Sequence, residues 1–151
     1  MTRWLKGAET IEKLVHANDL QRVQGADANG EPLLLKASRS LASAHALSRD
    51  DPDSSFTLAY DAARFACTAL LAQQGLRPTS QGGHYAVEQA MRAQFGDGFR
   101  TFGALRRRRN ELEYPSAANV GTEPDELADA HRDAARIVEA AGRLLPGLSF
   151  F

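Results

Sequence analysis

The sequence predicts an all-α protein, an antiparallel up-and-down bundle of five to six helices in which residues 1–151 form a single domain. Three observations lead there. Alanine, leucine, arginine and glutamate, all strong helix formers, dominate the chain. Apolar residues recur at helical spacing, whereas alternating β-branched runs bounded by turns are almost absent. Short breaks separate the periodic segments, and short connections favour antiparallel neighbours.

The first helix is expected over about Ala8 to Val23, with Ile11, Leu14 and Val15, joined by Asn18 and Val23, on its inner side. GADANGEP (Gly25 to Pro32) breaks it, and Pro32 suits the first turn of a second helix that runs to about Leu47. The cluster RDDPDS (Arg49 to Ser54) supplies a turn and an N-cap for a third helix, about Ser55 to Gln74. Phe56, Ala59, Ala63, Ala66 and Leu70 make one stripe of it, widened by Leu58, Phe65 and Leu71, so this helix is expected at the centre of the bundle. Gly75 is its natural C-cap. A fourth helix is expected from about His84 to Phe95. A fifth, marked by Phe99, Phe102, Leu105 and Leu112, ends at Pro115. In the last, Thr122 with Asp125 approximates a capping box, and Leu127, Ala130, Ala134, Ile137, Val138 and Leu144 line one face. Leu148, Phe150 and Phe151 are expected to pack on the bundle or on a second subunit.

Composition bounds the function. Hydrophobic content of 43% and charged content of 25% are those of a soluble globular protein, and 151 residues can bury a core without disulfides. The formal net charge of -1 gives no general attraction to nucleic acid or acidic membranes, so any polyanion site must be a local patch. The one cysteine, Cys67, lies in an apolar stretch and reads as a buried packing thiol. The N-terminal segment lacks the apolar core of a secretory signal, and no stretch approaches the ~20 apolar residues of a membrane span. The expectation is a cytoplasmic protein without a membrane partner.

The local patch is LRRRRNELEYP, Leu105 to Pro115. On a helix, residues four apart are neighbours, which sets Arg107 against Glu111, Arg109 against Glu113 and Arg106 against Asn110. The plain reading is a solvated face with two exposed ion pairs, each worth a few tenths of a kcal/mol. The sharper reading starts from four successive arginines, Arg106, Arg107, Arg108 and Arg109, offset by only two glutamates. Asn110 and Tyr114 share a face beside Arg109, which would bring a guanidinium, an amide and a phenol together at a helix end. Guanidinium groups match phosphate bidentately, and an amide orients it by hydrogen bonds.

The order of a long Ala-rich helix (LAYDAARFACTALLAQQGLRP), a loop ending in GGHYAVEQAM and a later helix with RRRRNELEYP resembles the HEPN superfamily of prokaryotic α-helical domains. The likeness covers roughly Phe56 to Pro115. It implies a HEPN-like bundle, usually dimeric, and an RNA- or nucleotide-phosphate-engaging activity. Many members are metal-independent endoribonucleases, toxin components or antiviral effectors. Their signature is an arginine, often a polar residue directly after it, and a histidine a few residues on. By that resemblance Arg109 is the signature arginine, Asn110 the polar residue, and Tyr114 stands where the histidine should be. The resemblance then implies 2'-hydroxyl attack on the adjacent phosphodiester, with Arg109 stabilising the phosphorane and Tyr114 replacing the base. An ordinary phenol titrates near pH 10, so a tyrosine base at neutral pH needs about 4 kcal/mol of differential stabilisation. A neutral phenol still donates a hydrogen bond or stacks on a base, so phosphate binding tolerates the replacement better than catalysis does. The competing expectation is a non-catalytic dimeric interaction or regulatory module, for instance one partner of a toxin–antitoxin pair.

Other polar groups stand at second rank. Tyr60, Asp61 and Arg64 lie within one turn of the third helix, either as a helix-surface pair or as groups that reach the Arg109 cluster across the bundle. His84 follows two glycines and reads as a cap or as a residue at the bundle's mouth. His16, His45 and His131 fall on separate helices without partners of metal-ligand character, so no metal and no cofactor is expected. His45 and His131 read as surface or half-buried. Gly82 and Gly83 lack the strand before and the GK[ST] after that a phosphate loop requires.

Overall fold

The computed structural model describes residues 4–116 and 121–151. Among them are six α-helices: α1 (Ala8–His16), α2 (Glu31–Leu47), α3 (Pro52–Gln73), α4 (Gly83–Phe95), α5 (Thr101–Glu113) and α6 (Pro124–Leu144). Two three-residue strands, β1 (Leu20–Arg22) and β2 (Leu76–Pro78), and three short 3-10 turns, Gly25–Ala28, Gly96–Phe99 and Leu145–Gly147, lie between and after the helices. The fold is an all-α helical bundle.

Helix α3 is central for the reason its composition gives. Ala59, Ala62, Ala63, Ala66, Ala69 and Ala72 are all buried, and small side chains let neighbours approach on several sides. Helices α2 and α6 pack on it and on each other, while α4 and α5 cover another face. Its start is set by Asp51, whose carboxylate accepts from Ser54 N (3.2 Å) and Ser54 Oγ (2.6 Å), with Pro52 in the first turn. Gly75, at φ 73°, turns the chain away at the other end. Cys67 is wholly buried, as a packing thiol, and burial pushes its ionisation up.

Two expectations about local structure need correction. The first helix stops at His16, because Asn18 takes the left-handed conformation (φ 63°) and turns the chain into β1. That strand pairs antiparallel with β2, Leu20 opposite Pro78 and Arg22 opposite Leu76, and Val23 N continues the ladder to Gly75 O at 2.8 Å. Each strand is too short for alternation to be read. The capping box at the start of α6 does not form either. Thr122 N and Thr122 Oγ1 both reach Asp53 Oδ1, each at 2.8 Å, and Glu123 occupies the cap position without a side-chain bond.

At the C-terminus Leu148 is buried and Phe151 is half-buried, held by Phe151 N to Gln74 O (2.9 Å) and Arg22 Nη1 to Phe151 O (2.8 Å). Phe150 remains exposed. Among the described residues no helix is long and apolar enough to cross a membrane.

Candidate functional site

The arginine run spreads around α5, and each guanidinium finds a carboxylate. Arg106 Nε donates to Glu88 Oε2 at 2.9 Å, and Arg107 Nη1 lies 3.7 Å from the other oxygen of the same carboxylate. Glu88 is buried on α4 against Gly103, where a Cβ would stand 2.2 Å from Oε1. Arg108 turns the opposite way, to Glu126 on α6 (3.0 and 3.2 Å) and to Glu111 (2.9 Å), and so ties α5 to α6. Arg109 pairs with Glu113, one turn on, as the spacing predicts. The expected pair of Arg107 with Glu111 is replaced by Arg107 with Glu88 and Arg108 with Glu111.

Arg109, Asn110 and Tyr114 stand at the C-terminal end of α5. Proline disfavours a helical conformation in the residue before it, and Tyr114 accordingly leaves the helix at φ −118°, ψ 73°. The Asn110 and Tyr114 side chains are both exposed, Tyr114 to 74%, and neither hydrogen-bonds to Arg109 or to the other.

What the fold does assemble is the second-rank set. Tyr60, read as one half of a surface pair, is instead wholly buried, its ring stacked on Phe102 with centroids 5.5 Å apart. Tyr60 Oη lies 2.7 Å from His84 Nδ1 at the start of α4. Hydrogen-bond accounting fixes the direction. Among the described residues no other acceptor reaches the buried phenol, so if the imidazole were the donor, the phenolic hydrogen would be stranded at a cost of about 1–3 kcal/mol. Tyr60 therefore donates to Nδ1, and the neutral His84 ring carries its proton on Nε2. Among the described residues that Nε2–H has no partner.

The electrostatics agree. Burial pushes the Tyr60 phenol above its ordinary range, against the opposing pull of Arg64, Arg109 and Arg106, so it stays protonated. Burial also lowers the His84 pKa, and the positive charges of Arg64 and Arg109 lower it further, with Asp61 opposing. Three guanidinium groups thus act on the Tyr60–His84 pair against one carboxylate. Arg64 lies over the Phe65 ring at 4.3 Å and 3.6 Å from Asp61, while its Nε–H is buried and finds no acceptor among the described residues. Two unspent donors, Arg64 Nε–H and His84 Nε2–H, sit in a positive field between α3, α4 and α5. Arg64 Nε itself has no accessible surface, so an anionic oxygen at this place would meet the partly exposed end of the Arg64 guanidinium and the His84 Nε2–H.

Tyr85, 57% exposed next to His84, is a further candidate that sequence reasoning passed over. Its only signal was an aromatic flanking a helix start. His131 also departs from expectation. It is buried, with Nε2 2.8 Å from Ser55 Oγ and its ring edge-on to His45 at 4.4 Å between centroids. Among the described residues no three His, Cys, Asp or Glu side chains cluster as metal ligands would. Comparisons with family models, with curated proteins and with solved structures found no match to this chain.

Proposed function

We propose that this chain binds RNA or nucleotide phosphate, with single-stranded RNA as the ligand that fits best, at the place where Arg64 of α3 and His84 of α4 lie near Arg106 and Arg109 of α5. Arg64, through the partly exposed end of its guanidinium, and His84, through Nε2–H, donate to a phosphate oxygen, and Arg109 and Arg106 supply the surrounding field. The exposed rings of Tyr85 and Tyr114 flank this place at the start of α4 and the end of α5, where bases can stack at about 1–3 kcal/mol each. The observation that carries the reading is the Tyr60–His84 hydrogen bond beneath the charges of Arg64, Arg109 and Arg106, which turns an Nε2–H without a partner among the described residues outward from His84. The HEPN resemblance leads to the same class of ligand.

Binding is favoured over cleavage. A general base needs a bare nitrogen towards the substrate, and the Tyr60 bond places the His84 proton on the outward Nε2 instead. The resemblance to metal-independent endoribonucleases makes cleavage in chelator the companion assay. The RNA is expected to survive it, whereas cleavage lost in Tyr114→Phe would restore the catalytic reading.

The test is the fluorescence anisotropy of a labelled single-stranded RNA over a salt series. Log affinity should fall linearly with log salt by about 0.7 per phosphate contacted, and Arg64→Ala or Arg109→Ala should each flatten that slope. A slope unchanged in both variants overturns the proposal. It would favour a dimeric protein-interaction module, such as a toxin–antitoxin partner, which the full pairing of the α5 arginines with carboxylates independently fits. A homodimer belongs to either reading, and a light-scattering mass equal to the monomer counts against it.

A further inference from the structure

A cleft of about 440 Å³ opens between the α2–α3 turn and the start of α6, away from the residues of the phosphate site. Its walls are apolar: Pro52 from the start of α3, Pro124 and Leu127 from α6, with Ala128 beside them. Ser48, Thr122 and His131 bring the polar atoms, and Arg49 stands exposed at the mouth.

The hydrogen-bond accounting of those polar atoms is one-sided. Ser48 Oγ gives its hydrogen to His45 O at 2.9 Å, and Thr122 Oγ1 gives its own to Asp53 Oδ1 at 2.8 Å. Ser55, wholly buried behind the cleft, has one hydrogen and gives it to Ala44 O at 2.6 Å. Its oxygen can then only accept from His131 Nε2, 2.8 Å away. The neutral His131 ring therefore carries its proton on Nε2 and keeps a bare lone pair on Nδ1. Burial and the neighbouring His45 both lower the His131 pKa, which keeps the ring neutral. His131 is 8% exposed, and among the described residues Nδ1 has no donor. Apart from Arg49 at the rim, the cleft offers lone pairs and no hydrogens.

We propose that this cleft binds a small neutral aromatic hydrogen-bond donor of the phenol class, its O–H received by His131 Nδ1 and its ring held between Pro52, Pro124 and Leu127. The flat proline and leucine walls match a planar ring. Neutrality follows from the walls: apart from Arg49 at the mouth, they offer a charged group only the uncharged acceptors of His131, Ser48 and Thr122 in place of its water. This site is independent of the phosphate site and stands or falls without it.

The experiment is a long-range ¹H–¹⁵N correlation spectrum of the labelled chain at about pH 8, where imidazoles are neutral, titrated with phenol and with anisole. Before addition, His131 should show its proton on Nε2. Phenol should move the His131 Nδ1 resonance saturably, with a Kd on the order of 1 mM. Anisole keeps the ring but has no hydrogen to donate, and should bind roughly fivefold more weakly. Ala128→Trp, at an exposed position of the wall, should abolish the phenol shift and leave the spectra of the other histidines in place. A proton on Nδ1, no saturable shift, equal binding of anisole, or a phenol response undiminished in Ala128→Trp each overturns the proposal.

Discussion

Replacing Ser55 with alanine tests the hydrogen-bond accounting at its most buried point. The hydroxyl receives His131 Nε2–H and donates to Ala44 O, and the residue has no solvent exposure. Alanine fits the space but strands both partners, and each stranded buried group costs about 1–3 kcal/mol. Allowing for some relaxation, Ser55→Ala should lose about 2–4 kcal/mol. For a chain of 151 residues that lowers Tm by on the order of 10 °C. The control is Ser38→Ala. Ser38 Oγ also donates to a backbone carbonyl, Leu34 O at 3.3 Å, but at an exposed position where water replaces it, so the loss should stay within about 0.5 kcal/mol. Urea unfolding of both variants at about pH 8, with m compared to confirm an unchanged denatured state, provides the measurement. If Ser55→Ala were no more destabilising than Ser38→Ala, the relay from His131 through Ser55 to Ala44 would be refuted, and with it the bare Nδ1.

Further outcomes follow from the same structure. His84 and His131 both have folded-state pKa values below the ordinary 6.5, so the unfolded chain binds more protons near that pH. Stability should be full above about pH 6.5 and fall as the pH drops towards the folded values, by at most about 1.4 kcal/mol per pH unit for each group; a flat urea-midpoint profile between about pH 7.5 and pH 5 contradicts this. Gly103→Ala should destabilise by about 1–2 kcal/mol despite alanine's better helix propensity, because its Cβ would displace the Glu88 carboxylate from Arg106, whereas Gly142→Ala on exposed α6 should stabilise by about 0.5–1 kcal/mol. Calorimetry of the two variants settles the sign.

Helix periodicity was legible because burial repeats it. The α3 stripe of Phe56, Ala59, Ala63, Ala66 and Leu70 is buried as spaced. The β1–β2 ladder was not, since three residues hold no alternation and the turn rests on a left-handed Asn18 that no propensity announces. At the candidate site the arginines were visible but their directions were not. Side chains one residue apart differ by about 100° around a helix, so Arg106 reaches α4 while Arg108 reaches α6. The effect of Pro115 on Tyr114, which leaves helical geometry as the C-cap of α5, was derivable from local sterics. Tyr60 with His84, and Ser55 with His131, are separated by 24 and 76 residues in sequence. Only tertiary packing brings them together.

Those two pairs show how one helix sets opposite chemistry at two places. Ser55 and Tyr60, five positions apart on α3, each fix an imidazole by a single hydroxyl. The tyrosine has no other acceptor, so it donates to Nδ1 and turns a hydrogen outward from His84, beside arginines, where an anion is the fitting guest. The serine has already given its hydrogen to a carbonyl, so it accepts from Nε2 and turns a lone pair outward from His131, among apolar walls, where a neutral donor fits. Histidine is the same residue in both. The polarity each site shows its ligand is decided one bond further back, by whether the hydroxyl behind the ring has a second partner.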